Sequence, residues 1–156
     1  MSDSISIPRT FFTYMDILYS SSTVNEHFIK EKLSDASANT SFDQYIKKIF
    51  NKEVLDSFKK LEYNWNNNKA EKIPESLIGK SKKILDEIYY QPDIYPTARN
   101  SIQLEYEDEN GKYLEFEIFE DIILCLFIDR DGKEFDSKID INDFNKIHDM
   151  INLFYE

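Results

Sequence analysis

Residues 101–118 read SIQLEYEDENGKYLEFEI, and this stretch decides the fold. From Ser101 to Glu107 apolar and polar residues alternate: Ile102, Leu104 and Tyr106 on one face, Gln103, Glu105 and Glu107 on the other. Residues 112–119 repeat the pattern, with Leu114, Phe116 and Ile118 against Tyr113, Glu115 and Glu117. A period of two is that of a half-buried strand, and Asp108-Glu109-Asn110-Gly111 between the runs is a hairpin signal. Parity selects the register. A loop of two or four residues would set apolar positions against acidic ones. A loop of three, Glu109-Asn110-Gly111, pairs like with like and puts Gly111 where a left-handed backbone is wanted. Ile102 then faces Ile118, Leu104 faces Phe116 and Tyr106 faces Leu114, while Gln103 meets Glu117, Glu105 meets Glu115 and Glu107 meets Tyr113. Like charges directly opposite each other destabilise a sheet by a few tenths to ~1 kcal/mol. This face is therefore either a solvated surface, with lysines such as Lys80, Lys82 or Lys83 packed nearby, or an acidic platform for a basic partner.

Downstream, the apolar run Ile122–Ile128 shows no alternation and reads as a central strand covered on both faces. Glu120, Asp121, Asp129 and Asp131 flank it as gatekeepers against aggregation. Asp131-Gly132 marks a turn, Lys133–Asp136 a short fourth strand, and Asp140 the cap of a helix whose stripe is Ile141, Phe144, Ile147, Ile151 and Phe154. Upstream, helical spacing predicts helices at Thr23–Leu33 and, weakly, Thr10–Ser20, with Ser34–Ser41 a loop. Ser41 and Gln44 form a capping-box pattern opening a helical run to Leu61, which Asn64–Asn68 ends. Pro74 starts a further helix to about Tyr90, and Pro92 and Pro96 bracket an extended connection. The expected fold is α+β in one domain over 1–156. It has a mainly helical part, 1–98, and an acidic part, 99–156, in which an antiparallel meander of about four strands carries a C-terminal helix.

With 156 residues, 41% of them apolar, the chain can bury about two-thirds of its unfolded surface without disulfide or metal. The charge of −11 is not spread evenly. Residues 1–100 hold 14 acidic and 14 basic side chains, and residues 101–156 hold 16 and 5, so the second part carries all of it. That disfavours a phosphate-tracking nucleic-acid binder and an anionic membrane as partners. The N-terminus lacks a basic then apolar leader, and no apolar run approaches the ~20 residues needed to span a bilayer, so a cytoplasmic location is expected.

No motif supports catalysis. Gly79-Lys80-Ser81 resembles the end of a phosphate loop, but Pro74 stands where that pattern needs glycine. Asp129-Arg130-Asp131-Gly132 has Phe127 where a calcium loop needs its first ligand. His27 and His148 have no second ligand at metal spacing, and Cys125 lies in the apolar strand. No cofactor is expected and the chain reads as a non-enzyme. Trp65, in an asparagine-rich turn, is either a packing anchor or a partner-binding hot spot.

The order Leu61-Glu62-Tyr63-Asn64-Trp65, Ala70, Pro74, a helix, Pro96-Thr97, then the two alternating strands resembles a widespread bacterial family of small accessory proteins. Its pattern runs NWDGYGA…P, a helix, PT..G.IQLEW and LEIEI. The resemblance spans about residues 55–135 and is most specific in the strands. Asn66-Asn67-Asn68-Lys69 replaces the family's Asp-Gly turn, and Arg99-Asn100 its glycine before the strand. Some members resemble antitoxin or immunity partners, so the resemblance implies a binding module without catalytic residues. The resulting expectation is an acidic inhibitor in bacterial–phage conflict. It would bind a basic nucleic-acid-handling protein, a toxin nuclease or a CRISPR effector, through Gln103, Glu105, Glu107, Tyr113, Glu115, Glu117 and Trp65. The alternatives are a structural or oligomeric accessory subunit joined through Phe11, Phe12, Tyr14 and Tyr19, and a metal-dependent hydrolase using the glutamates.

Overall fold

The computed structural model describes residues 36–156; the helices expected within 10–33 and the aromatic segment of residues 11–19 lie outside them. Phe42–Glu156 form one compact unit. Helix α1 (Ala36–Ser57) runs into a short 3-10 turn at Phe58–Lys60, and α2 (Glu75–Glu87) follows. Five strands come next, β1 (Asp93–Pro96), β2 (Ile102–Glu107), β3 (Tyr113–Ile118), β4 (Ile122–Ile128) and β5 (Glu134–Asp140), and then α3 (Phe144–Tyr155). The strands form one antiparallel sheet in the order β1-β2-β3-β4-β5. The fold class is α+β, with five strands where about four were expected.

The β2–β3 register is the one parity selects, from Ile102 opposite Ile118 to Glu107 opposite Tyr113. Gly111 has φ +86°, the left-handed conformation its place in the loop requires. Asp108 organises this turn, its Oδ1 accepting the backbone N–H of Asn110 at 2.8 Å and of Lys112 at 2.8 Å. The β4–β5 turn is built the same way, with Asp129 Oδ1 accepting from Asp131 and Lys133 at 2.9 Å each and Gly132 at φ +76°. Both turns read Asp-x-(Asn/Asp)-Gly-Lys, a repeat fixed by what one carboxylate can reach.

Ile94, Ile102, Leu104, Leu114, Phe116, Ile118, Ile123, Cys125 and Ile139 bury one face of the sheet. The helices bury Leu55, Leu77, Ile84, Leu85, Ile147, Ile151 and Phe154 in the same core. Gln91 and Asn51 tie the helices to the strand that follows. Gln91 Nε2 donates to the carbonyls of Leu85 and Ile88, the Gln91 N–H donates to Gln44 Oε1 at 2.7 Å, and Asn51 Nδ2 donates to Pro92 O at 2.9 Å. Lys112, buried, donates from Nζ to the carbonyl of Phe154 at 2.9 Å and so meets the electronegative end of α3.

Five local expectations need correction. The segment bracketed by Pro92 and Pro96 is the edge strand β1, a position that tolerates proline because one side of the ladder is free. Helix α1 begins at Ala36, so Ser41 is interior and no capping box forms there; Gln44 serves Gln91 instead. Strand β5 extends beyond Asp136 to Asp140 because Ile139 pairs with Ile123 in the core, a single apolar residue in a polar run. Asp143, not Asp140, caps α3, its side chain accepting the Lys146 N–H at 3.1 Å. Strand β4 is not covered on both faces. Its burial alternates, with Ile123, Cys125 and Phe127 inside and Ile122, Leu124, Leu126 and Ile128 only half-buried.

The first helical run ends ahead of the asparagine turn, the 3-10 turn closing at Lys60 with Leu61 extended at φ −73°, ψ 108°. Asn64, Asn67 and Lys69 have φ of 65°, 58° and 61°, conformations no helix contains. Asn100 lies at φ 58° just before β2, in the conformation that Gly or Asn reaches most readily.

Candidate acidic sheet face

The pleat sends every second residue of the five strands to the face opposite the core. In register, one row across the sheet reads Asp93, Glu105, Glu115, Leu126, Asp136, and the next Tyr95, Gln103, Glu117, Leu124, Lys138. A third joins Glu107, Tyr113, Ile128 and Glu134. With Asp140 opposite Ile122, these strand positions carry eight carboxylates and one cation, Lys138. Asp93 pairs with Lys47 of α1 at 2.9 Å. Of the lysines expected near this face, Lys80 holds Glu120 in the β3–β4 turn and Lys82 holds Asp56.

At the centre, three side chains share too few protons. The Tyr113 hydroxyl lies 2.7 Å from Glu115 Oε2 and 3.1 Å from Glu105 Oε1, and Gln103 Nε2 donates to that same Glu105 oxygen at 2.5 Å. Tyr113 has one proton, which it donates to Glu115 over the shorter distance. Its oxygen then faces a Glu105 oxygen with no proton between them unless Glu105 is protonated. Partial burial raises the Glu105 pKa above its ordinary 4.5, the Tyr113 hydroxyl opposes the rise, and the charges of Glu115, Asp93 and Glu107 reinforce it. Burial, then its bond to Glu115, push the Tyr113 phenol far up, so it stays neutral.

The structure separates the expected binding residues. Gln103, Glu105, Tyr113 and Glu115 form this cluster at the middle of the face, with Glu107 exposed at the end of β2. Glu117 is buried and engaged. Ser101 Oγ donates to its Oε1 at 2.6 Å, and Arg99 Nη1 lies 3.1 Å from its Oε2 while stacking over Phe119. A buried, paired carboxylate anchors the loop before β2. Trp65 sits half-buried in its own turn, its indole N–H donating to the Glu71 carbonyl at 3.1 Å. Leu124, Leu126, Asp93, Glu134 and Asp136 share the acidic face without having been singled out by sequence. The alternation of Glu134 and Asp136 was a usable signal. The outward pair on β4 had none, because all seven of its residues are apolar.

The other motifs resolve locally. Gly79-Lys80-Ser81 lies inside α2 and Asp129–Gly132 is the β4–β5 turn. His148 Nε2 is 3.0 Å from the Glu87 carbonyl. Burial raises the Cys125 thiol to about 11, which removes the thiolate a nucleophile needs. Among the described residues, no group of three or more His, Cys, Asp and Glu is placed to hold a metal ion, and no helix is long and apolar enough to cross a membrane. No protein-family model matches the chain, and neither a curated protein nor a solved structure shows significant similarity to it.

Proposed function

We propose that this chain is a non-catalytic protein-binding module that docks its acidic sheet face on the cationic surface of a nucleic-acid-handling protein, as an inhibitor in bacterial–phage conflict would. A toxin nuclease or a CRISPR effector has the required surface, because lysines and arginines that hold phosphates also accept carboxylates. The observation that carries this reading is the eight-to-one excess of carboxylates over cations at the outward strand positions. Such a field accelerates encounter with a basic partner and repels nucleic acid and anionic lipid.

The test is capture of the partner from a bacterial host lysate after nuclease treatment, followed by binding measurements with the purified pair. Glu105→Lys with Glu115→Lys should weaken binding at least about tenfold, or ~1.4 kcal/mol, and flatten its dependence on salt. Glu117 is left unchanged, because its loss would disturb the Arg99–Ser101 loop. A captured protein without a cationic surface, or binding indifferent to both substitutions and to salt, would refute the proposal.

A further inference from the structure

The acidic face is divided by an apolar line that a uniformly charged platform would not need. Ile122, Leu124, Leu126 and Ile128 all stand outward on β4, each half-buried where a solvated strand would carry polar residues. The middle pair, Leu124 and Leu126, borders an open groove of about 570 Å³ together with Asp136, Lys138, Glu115 and Glu117. Two-residue steps along a strand make the apolar line about 20 Å long. The strands on either side lie about 5 Å away, so Glu115 on β3 and Asp136 on β5 stand about 10 Å apart across Leu126.

These dimensions specify an occupant. The backbone of β4 is paired with β3 on one side and β5 on the other, so the groove offers a bound chain side chains only. An α-helix satisfies its own backbone hydrogen bonds on such a surface, whereas an extended chain would leave its backbone to water. A helix is about 10–12 Å across, close to the Glu115–Asp136 separation across Leu126, and about 13 residues cover the line at 1.5 Å each; beside Leu124 the flanks are Lys138 and the Glu117 held by Arg99, so the acidic flanks are those of Leu126. Its apolar stripe would lie on Leu124 and Leu126, and lysines or arginines on its flanks would meet Glu105, Glu115 and Asp136. A second copy of this chain is disfavoured because it would bring like-charged faces together.

We infer that the β4 groove is a docking site for an amphipathic basic α-helix of a partner protein, seated on Leu124 and Leu126 between the glutamates of β2–β3 and Asp136 of β5. This rests on the reading of the face as a protein-docking surface and adds that apolar contact, not charge alone, selects the partner.

The probe is a synthetic peptide of about 14 residues with leucines at every third and fourth position and lysines and arginines flanking them, helical by circular dichroism. A permuted peptide of equal composition, equally helical but with the leucines spread round the helix, is the control. Both are titrated into the full chain, with the methyl signals of Leu124 and Leu126 followed by NMR. The stripe peptide should bind at least about tenfold more tightly than the permuted one and shift both methyls. Leu124→Asn with Leu126→Asn should abolish the preference; Leu124→Ala with Leu126→Ala, a milder pair, should reduce it if the first fails to fold. Equal binding of both peptides, weakened by Glu105→Gln with Glu115→Gln and by salt, overturns the inference but leaves the acidic-face reading intact. Binding of neither peptide, or self-association lost with the leucine variants, also overturns it. Binding unaffected by salt and by every variant overturns both.

Discussion

Glu105→Gln should make the protein more stable at neutral pH, although it removes a side-chain charge from a hydrogen-bonded cluster. The wild-type Glu105 and Glu115 carboxylates both contact one hydroxyl, which puts the oxygens at most about 6 Å apart. Two unit charges at that distance repel by about 0.7 kcal/mol in a water-like dielectric, within the range for like charges opposed across a sheet. The amide that replaces the Glu105 carboxylate removes this repulsion and, with its oxygen in the place of Oε1, still accepts from Gln103. The expected gain is about 0.7 kcal/mol, or roughly 2 °C in Tm for a chain of this size. The sign with pH follows from the raised Glu105 pKa. Between 4.5 and the folded value the native state binds the extra proton, so this site's contribution to stability is greatest below 4.5 and is lost as pH rises through the folded pKa. The variant's advantage should therefore be present at pH 7, shrink as pH falls toward 4.5, and shrink in concentrated salt, where screening acts within ~3 Å. Urea and thermal denaturation followed by circular dichroism at several pH values measures it. A variant less stable than wild type at pH 7, or a gain unchanged at low pH, would refute the proton-sharing account.

Two further outcomes are expected. Lys69→Gly should stabilise the protein by about 0.5–1 kcal/mol, because φ 61° strains a side-chain-bearing residue and the N–H bond to Asn64 Oδ1 is kept; an unchanged or lower urea midpoint would contradict this. Lys112→Met keeps the buried stem but leaves the Phe154 carbonyl without its cation. It should cost about 1–2 kcal/mol and speed hydrogen exchange in the last turn of α3, and protection equal to wild type would argue against that role.

Sequence alone determined whatever depends on short-range periodicity and parity. The β2–β3 register follows from a period of two and a loop of odd length, because any slip would exchange Leu104 and Phe116 for glutamates in the core. Gly111 and the stripe from Ile147 to Phe154 were legible for the same reason: local backbone geometry decides them. The opposed glutamates of the candidate site followed directly from that register. Tertiary structure decided what depends on how many neighbours a strand has. Strand β1 is recognisable only by its pairing with β2, since Asp-Ile-Tyr-Pro has no periodicity to read. Strand β4 is apolar throughout, so its sequence could not distinguish two covered faces from one. Packing buried Ile123, Cys125 and Phe127 and left Leu124 and Leu126 in an acidic groove. Glu117 has the same place in the alternation as Glu105 and Glu115, yet it is buried because Arg99 and Ser101, sixteen or more residues away in sequence, close over it. Alternation assigns a side chain to a face; only the neighbours brought there by the fold decide whether that side chain meets water, an ion pair or a partner.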